Sequence, residues 1–117
     1  MKTVRVILSP GAEEVYKYLN EHATHSKHER TFLNAVNNKI GLIKVNPHYG
    51  DSVAKKLIPQ EYKVKYGVNN LFRVELPDYW RMLYTLTEGE SRIEVVAFVL
   101  DMIDHKEYDK KFGYRSR

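Results

Sequence analysis

Hydrophobic and polar positions divide this chain into an N-terminal part with mixed spacing and a C-terminal part with strand spacing. Thr3 to Leu8 are rich in β-branched residues and roughly alternating, which predicts a strand. Ser9-Pro10 then reads as a helix start, serine at the N-cap and proline at N1, with Glu13 and Glu14 in the first turn. Ala12, Val15 and Leu19 mark the inner face of that helix, Tyr18 flanks it, and it should end near 20–24. A second helix starts near Ser26, with Phe32, Leu33, Val36, Ile40 and Ile43 recurring at three and four residues. Gly41 interrupts it, which suggests close packing there, and Asn46-Pro47 should end it.

Residues 47–70 are the least regular, with room for a single helical turn at 59–66. Three strands follow, over 71–76, 79–87 and 92–101, separated by turns at Pro77-Asp78 and Glu88-Gly89-Glu90. The run Val95–Leu100 is apolar on both faces and predicts an interior strand. The tail from Asp104 is polar, with Tyr108, Phe112 and Tyr114 as anchors. The expectation is an α+β domain in the order β-α-α-β-β-β. Two N-terminal antiparallel helices would pack on one face of a mainly antiparallel four-stranded sheet and leave the other face available.

Composition narrows the function classes. At 117 residues the chain has room for one domain, 1–117. The absence of cysteine excludes a disulfide scaffold, thiol redox chemistry and cysteine-ligated metal sites. No apolar run approaches a membrane span, and residues 1–10 lack the features of a secretory signal, so a cytoplasmic protein without a membrane partner is expected. The formal charge of +4 permits a polyanion partner without demanding one. The basic residues are unevenly placed: Lys55, Lys56, Lys63, Lys65 and Arg73 face a single acid, Glu61, within 55–73. Solvated surface lysines account for such a stretch equally well. His22, His25 and His28 are spaced by three, but that step fans side chains apart on a helix, and exposed loop histidines are the simpler reading. No metal site and no cofactor are expected.

The C-terminal half carries the chemistry. Arg73 and Arg81 fall in adjacent strands of one hairpin, and His105 and Tyr108 follow the last strand at a three-residue step. Arginine, histidine and tyrosine together suit phosphodiester chemistry on RNA. The 2′-OH supplies the nucleophile, and the protein must move protons and neutralise charge at phosphorus. His105 could serve as acid or base, Arg73 and Arg81 could grip phosphate bidentately, and Tyr108 would need help to ionise. The ordinary alternative is a pair of strand arginines matched to Glu75 or Glu94, plus a packed tyrosine.

Four segments together resemble the RelE/ParE superfamily of toxins from type II toxin–antitoxin systems. They are an opening strand running into LSPGAEEVYKYL, the segment KIGLIKVNPHYGD…AKKL, the hairpin LFRVELPDYWRMLYTL, and IEVVAFVLDMIDHKEYDKKFG, whose HKEYDK ending is similar to that of HigB-like members. The resemblance covers nearly the whole chain. It implies a compact RelE-like fold and an mRNA interferase that cleaves translated mRNA without metal, often in the ribosomal A site. It implies Arg81, His105 and Tyr108 as catalytic residues, with Arg73, Lys55 and Lys56 contacting substrate or rRNA. The partners it implies are a cognate antitoxin, mRNA and the ribosome, with a homodimer left open. Departures are Glu75 at an expected basic position, a longer 55–70 segment, and Trp80 before Arg81. The alternatives are a ParE-like toxin that inhibits gyrase by binding, and an inactive RelE-fold protein-binding module, which Glu75 favours.

Overall fold

A computed structural model describes residues 3–89 and 94–113. Strand β1 (Thr3–Leu8) leads into α1 (Pro10–His22) and α2 (Lys27–Val45). Strand β2 (Asp51–Ser52), a 3-10 turn over Lys55–Leu57 and α3 (Gln60–Tyr66) follow. Then come β3 (Phe72–Glu75), β4 (Arg81–Glu88), β5 (Glu94–Ile103) and α4 (His105–Phe112). The α+β class and the paired N-terminal helices agree with the sequence reading. The expected start of the last strand at 92–93, Glu90 in the second turn, and Tyr114 as an anchor lie outside the described residues.

Local chemistry explains the helix starts. The Ser9 hydroxyl accepts from Ala12 N–H at 3.1 Å and donates to the Leu100 carbonyl at 2.6 Å, so one buried side chain caps α1 and fastens it to β5. Ser26 caps α2 through Glu29 N–H. Asn46 ends α2 before Pro47, as the pre-proline rule requires. Gly41 is not a close packing point: a Cβ there would meet nothing within 4 Å.

The sheet has five strands in the order β1-β5-β4-β3-β2, one more than expected. The addition is the two-residue β2, too short to leave a periodicity signal. Its Asp51 pairs with Arg73 and its Ser52 with Phe72. β5 is interior, parallel to β1 and antiparallel to β4. Opposite β4 the register shifts: Leu83 pairs with Asp101 and Tyr84 with Val99, which leaves Leu100 as an extra residue in β5.

Both faces of the sheet are covered, which corrects the expectation of an open face. On one face α1 and α2 bury Leu19, Phe32, Val36 and Ile43 against Val74, Tyr84 and Val99. On the other, Ile58, Tyr62 and Tyr108 pack on Leu71, Leu83 and Leu100. The cover there is α3 and α4. The sequence presents α4 as a polar tail because its eight residues carry only Tyr108 and Phe112 as apolar anchors. Those two lie one turn apart and stack at 4.3 Å. Asp104 caps the helix through Glu107 N–H at 2.9 Å, and Gly113 ends it at φ +73°.

Candidate functional site

The hairpin of β3 and β4 and the start of α4 meet on the face covered by α3 and α4. Arg73 stands on β3 and Arg81 on β4, where Arg81 is the register partner of Glu75 on one side and Ile103 on the other. Tyr108 is buried at 4% exposure, and both guanidinium groups stand near its ring. Its hydroxyl accepts from Arg73 Nη1 at 3.2 Å. The Arg81 guanidinium carbon stands 5.3 Å from the ring centroid and that of Arg73 6.0 Å. Such contacts let an aromatic ring hold two like charges close together.

Counter-charges sit at the rim. Asp51 Oδ2 is 3.6 Å from Arg73 Nη2, and Glu75 Oε1 is 3.9 Å from Arg81 Nε. Both carboxylates are well exposed, and pairs this long in contact with water contribute little. The Tyr108 hydroxyl bond, with Asp51 adding to it, holds Arg73 still more firmly protonated than an ordinary arginine, against the opposing effect of its partial burial. Among the described residues, Nε of each arginine is buried without a hydrogen-bond partner. The ordinary alternative is thus realised in part, since Glu75 does approach Arg81 and Tyr108 is packed. Glu94, however, pairs with Arg5 at 3.4 Å.

His105 is exposed at the first residue of α4, two positions beyond Ile103. It joins the group through Tyr79, whose ring it meets edge-on with centroids 6.0 Å apart. Tyr79 in turn holds Arg81, whose Nη1 donates to the Tyr79 carbonyl at 2.6 Å. Lys55 and Lys56 are exposed on the 3-10 turn after β2, with no hydrogen bond or ring contact to Arg73, Arg81 or Tyr108 among the described residues. The structure thus brings together four of the six expected residues, Arg73, Arg81, Tyr108 and His105. It leaves the two lysines on the adjoining segment.

Sequence reasoning missed Tyr79 and Asp51. The signal for Tyr79 was its place inside Pro77-Asp78-Tyr79-Trp80, a turn segment directly before Arg81. Asp78 (φ 58°, ψ 32°) and Tyr79 (φ 62°) are both left-handed, and Trp80 N–H closes on the Pro77 carbonyl at 3.2 Å. This is type I′ geometry, which suits hairpin twist and favours Asn-Gly or Asp-Gly. Aspartate tolerates the conformation, whereas a tyrosine there costs about 1–2 kcal/mol. The tip is tied to α2 by His28, whose Nε2 is 2.7 Å from Asp78 Oδ2 and whose Nδ1 is 2.8 Å from Glu29 Oε2. His22 stacks on Tyr18 at 4.1 Å, so His22 and His28 are engaged in separate contacts.

Comparison with protein-family models, with curated proteins and with solved structures gave no match. Among the described residues no helix is long and apolar enough to cross a membrane, and no group of three or more His, Cys, Asp or Glu is placed to hold a metal ion.

Proposed function

We propose that this protein is a cytoplasmic toxin of the RelE kind, an mRNA interferase that cleaves translated mRNA and is held in check by a cognate antitoxin. The observation that carries the reading is the shared tyrosine: Arg73 and Arg81 converge on Tyr108, and among the described residues the carboxylates that face them are distant and exposed. A phosphodiester fits that arrangement. Its oxygens can replace Asp51 and Glu75 with shorter, bidentate bonds to guanidinium. Nε donors buried without a partner among the described residues cost about 1–3 kcal/mol each, which favours a site kept for a ligand.

The reaction would use the RNA 2′-oxygen. That oxygen bonds to the adjacent phosphorus as its proton leaves, and the P–O5′ bond breaks as the departing oxygen gains a proton. The products are a 2′,3′-cyclic phosphate and a 5′-hydroxyl. His105 is the acid–base residue, exposed at the start of α4. Arg73 and Arg81 neutralise the pentacoordinate phosphorus, and Tyr108 orients them. Lys55 and Lys56 would extend the contact to rRNA or mRNA.

A binding-only toxin or protein-binding module is the second reading. It is favoured by the burial of Tyr108 and by Asp51 and Glu75, which compete with any phosphate. The test is incubation of purified protein with 5′-labelled mRNA on translating ribosomes. The expected result is discrete new ends carrying cyclic phosphate, abolished in the Arg81→Ala, His105→Ala double variant. No new ends from the parent protein, together with growth arrest when it is induced in cells, would overturn the nuclease reading and favour a binding toxin.

A further inference from the structure

Tyr79 is the least expected residue of the hairpin. It is 74% exposed, although its ring is large and mostly apolar. Its backbone is left-handed at a position of a type I′ turn where glycine is the favoured residue and follows aspartate naturally. Neither packing nor turn chemistry therefore accounts for a tyrosine here. Strain of this kind held at a surface tip points toward a ligand.

Its surroundings say which ligand. The Tyr79 carbonyl fixes Arg81 Nη1 at 2.6 Å, so one turn sets the position of both the ring and the guanidinium. His105 meets the ring edge-on at 71° and braces it from one side. Asp78, the preceding residue, is anchored to His28 on α2. An exposed ring in a fixed place beside a phosphate-binding arginine is the pairing that single-stranded nucleic acid requires, a stacking surface next to a cation.

We propose that Tyr79 is a stacking platform for one unpaired RNA base, next to the phosphate gripped by Arg73 and Arg81. The proposal rests on the phosphate-clamp reading above and adds to it the contact that selects single-stranded over duplex RNA. Bases in a duplex are already stacked and cannot reach the ring.

The experiment is fluorescence anisotropy with a labelled single-stranded RNA made uncleavable by 2′-O-methyl groups, against a duplex of the same sequence. The deciding variant is Tyr79→Gly, because glycine suits the backbone at this position and removes only the ring. The expected result is a protein at least as heat-stable as the parent that binds the single strand about tenfold more weakly. Its log Kd against log salt should keep the same slope, because the phosphate contacts are unchanged. Tyr79→Trp should bind the strand at least tenfold more tightly than Tyr79→Gly. If Tyr79→Gly binds as tightly as the parent, the platform is refuted and the arginine clamp stands. If the parent itself does not bind the single strand, the clamp falls and the platform with it. Equal parental affinity for duplex and single strand also overturns the platform.

Discussion

Removing one oxygen from Tyr62 tests how α3 and α4 are held on the sheet. Tyr62 is 2% exposed, and its hydroxyl donates to Asp101 Oδ2 at 2.6 Å. Lys111 of α4 is 3.9 Å from the same oxygen, pairs with Glu61 of α3 at 2.5 Å, and lies over the Tyr62 ring. In Tyr62→Phe, Asp101 keeps only the distant lysine. A hydrogen bond to a charged group is worth about 1.5–3 kcal/mol, and the low end applies because water can replace part of it. A loss of about 1.5 kcal/mol lowers the melting temperature of a domain this size by roughly 6 °C.

A second, independent signature comes from alkaline pH. Burial, with the Asp101 contact adding to it, pushes the Tyr62 hydroxyl far above the ordinary tyrosine value. In the unfolded chain it ionises near pH 10, while in the folded protein it stays neutral. A folded value that is raised gives stability that is full below the unfolded value and declines above it. The parent should lose about 1.4 kcal/mol relative to Tyr62→Phe for each unit above pH 10. The gap seen at pH 7 should therefore close near about pH 11. Urea unfolding followed by circular dichroism from pH 7 to 11 measures both effects. A gap below about 0.5 kcal/mol at pH 7, or one that stays constant through pH 11, would refute the reasoning.

Three further outcomes follow from the same contacts. Both ring nitrogens of His28 face carboxylate oxygens, an arrangement that needs the doubly protonated ring, and the bonds to Glu29 first and Asp78 second raise its pKa. The His28 contribution should be full below pH 6.5 and disappear as pH rises through the raised value; equal melting differences between parent and His28→Ala at pH 5.5 and 8.5 would contradict this. Gly50→Ala would bring a Cβ to 3.0 Å from the Arg73 carbonyl oxygen and 3.0 Å from Tyr84 Cε1, so a loss of about 1–3 kcal/mol in urea unfolding is expected. An unchanged midpoint would mean that β2 yields freely. Asp104→Ala removes the cap of α4 and should cost about 1 kcal/mol, read as faster amide exchange through 105–112 than in the parent.

Elements with strong local signals were legible in the sequence. Ser9-Pro10 and Ser26 placed two helix starts, Asn46-Pro47 placed a stop, and the double-faced apolar run placed β5 inside the sheet. What was not legible depends on contacts between distant residues. Two-residue β2 exists because it pairs with β3, and α4 because Tyr108 and Phe112 find a buried surface that no local pattern reveals. Asn70 looks like a turn residue in sequence. Its side chain instead bonds both the Leu86 N–H and carbonyl, at 2.8 and 3.0 Å, and so stands in for a strand partner of β4. Four site residues could be named because arginine, histidine and tyrosine announce their chemistry. For Tyr79 the one signal was its place in the turn before Arg81, and the left-handed conformation that singles it out appears only once the turn is built.

The same limit applies to the bulge at Leu100, and here it bears on the site. In a regular β5 the alternation that sends Phe98 and Leu100 toward α3 and α4 would send Asp101 toward α1 and α2, Met102 toward α3 and α4, and Ile103 away from them. The extra residue reverses that assignment. Asp101 meets Tyr62 and Lys111, Met102 joins the core under α1 and α2, and Ile103 packs beneath α4. A run that is apolar on both faces conceals such a shift, since either parity buries hydrophobic side chains. Asp101 is the residue that breaks the tie. A carboxylate turned into the α1–α2 core would be a buried charge without a partner, whereas on the other face it finds a hydroxyl and an ammonium group. The bulge therefore fixes the strand end from which α4 starts, and with it the approach of Tyr108 to Arg73 and Arg81.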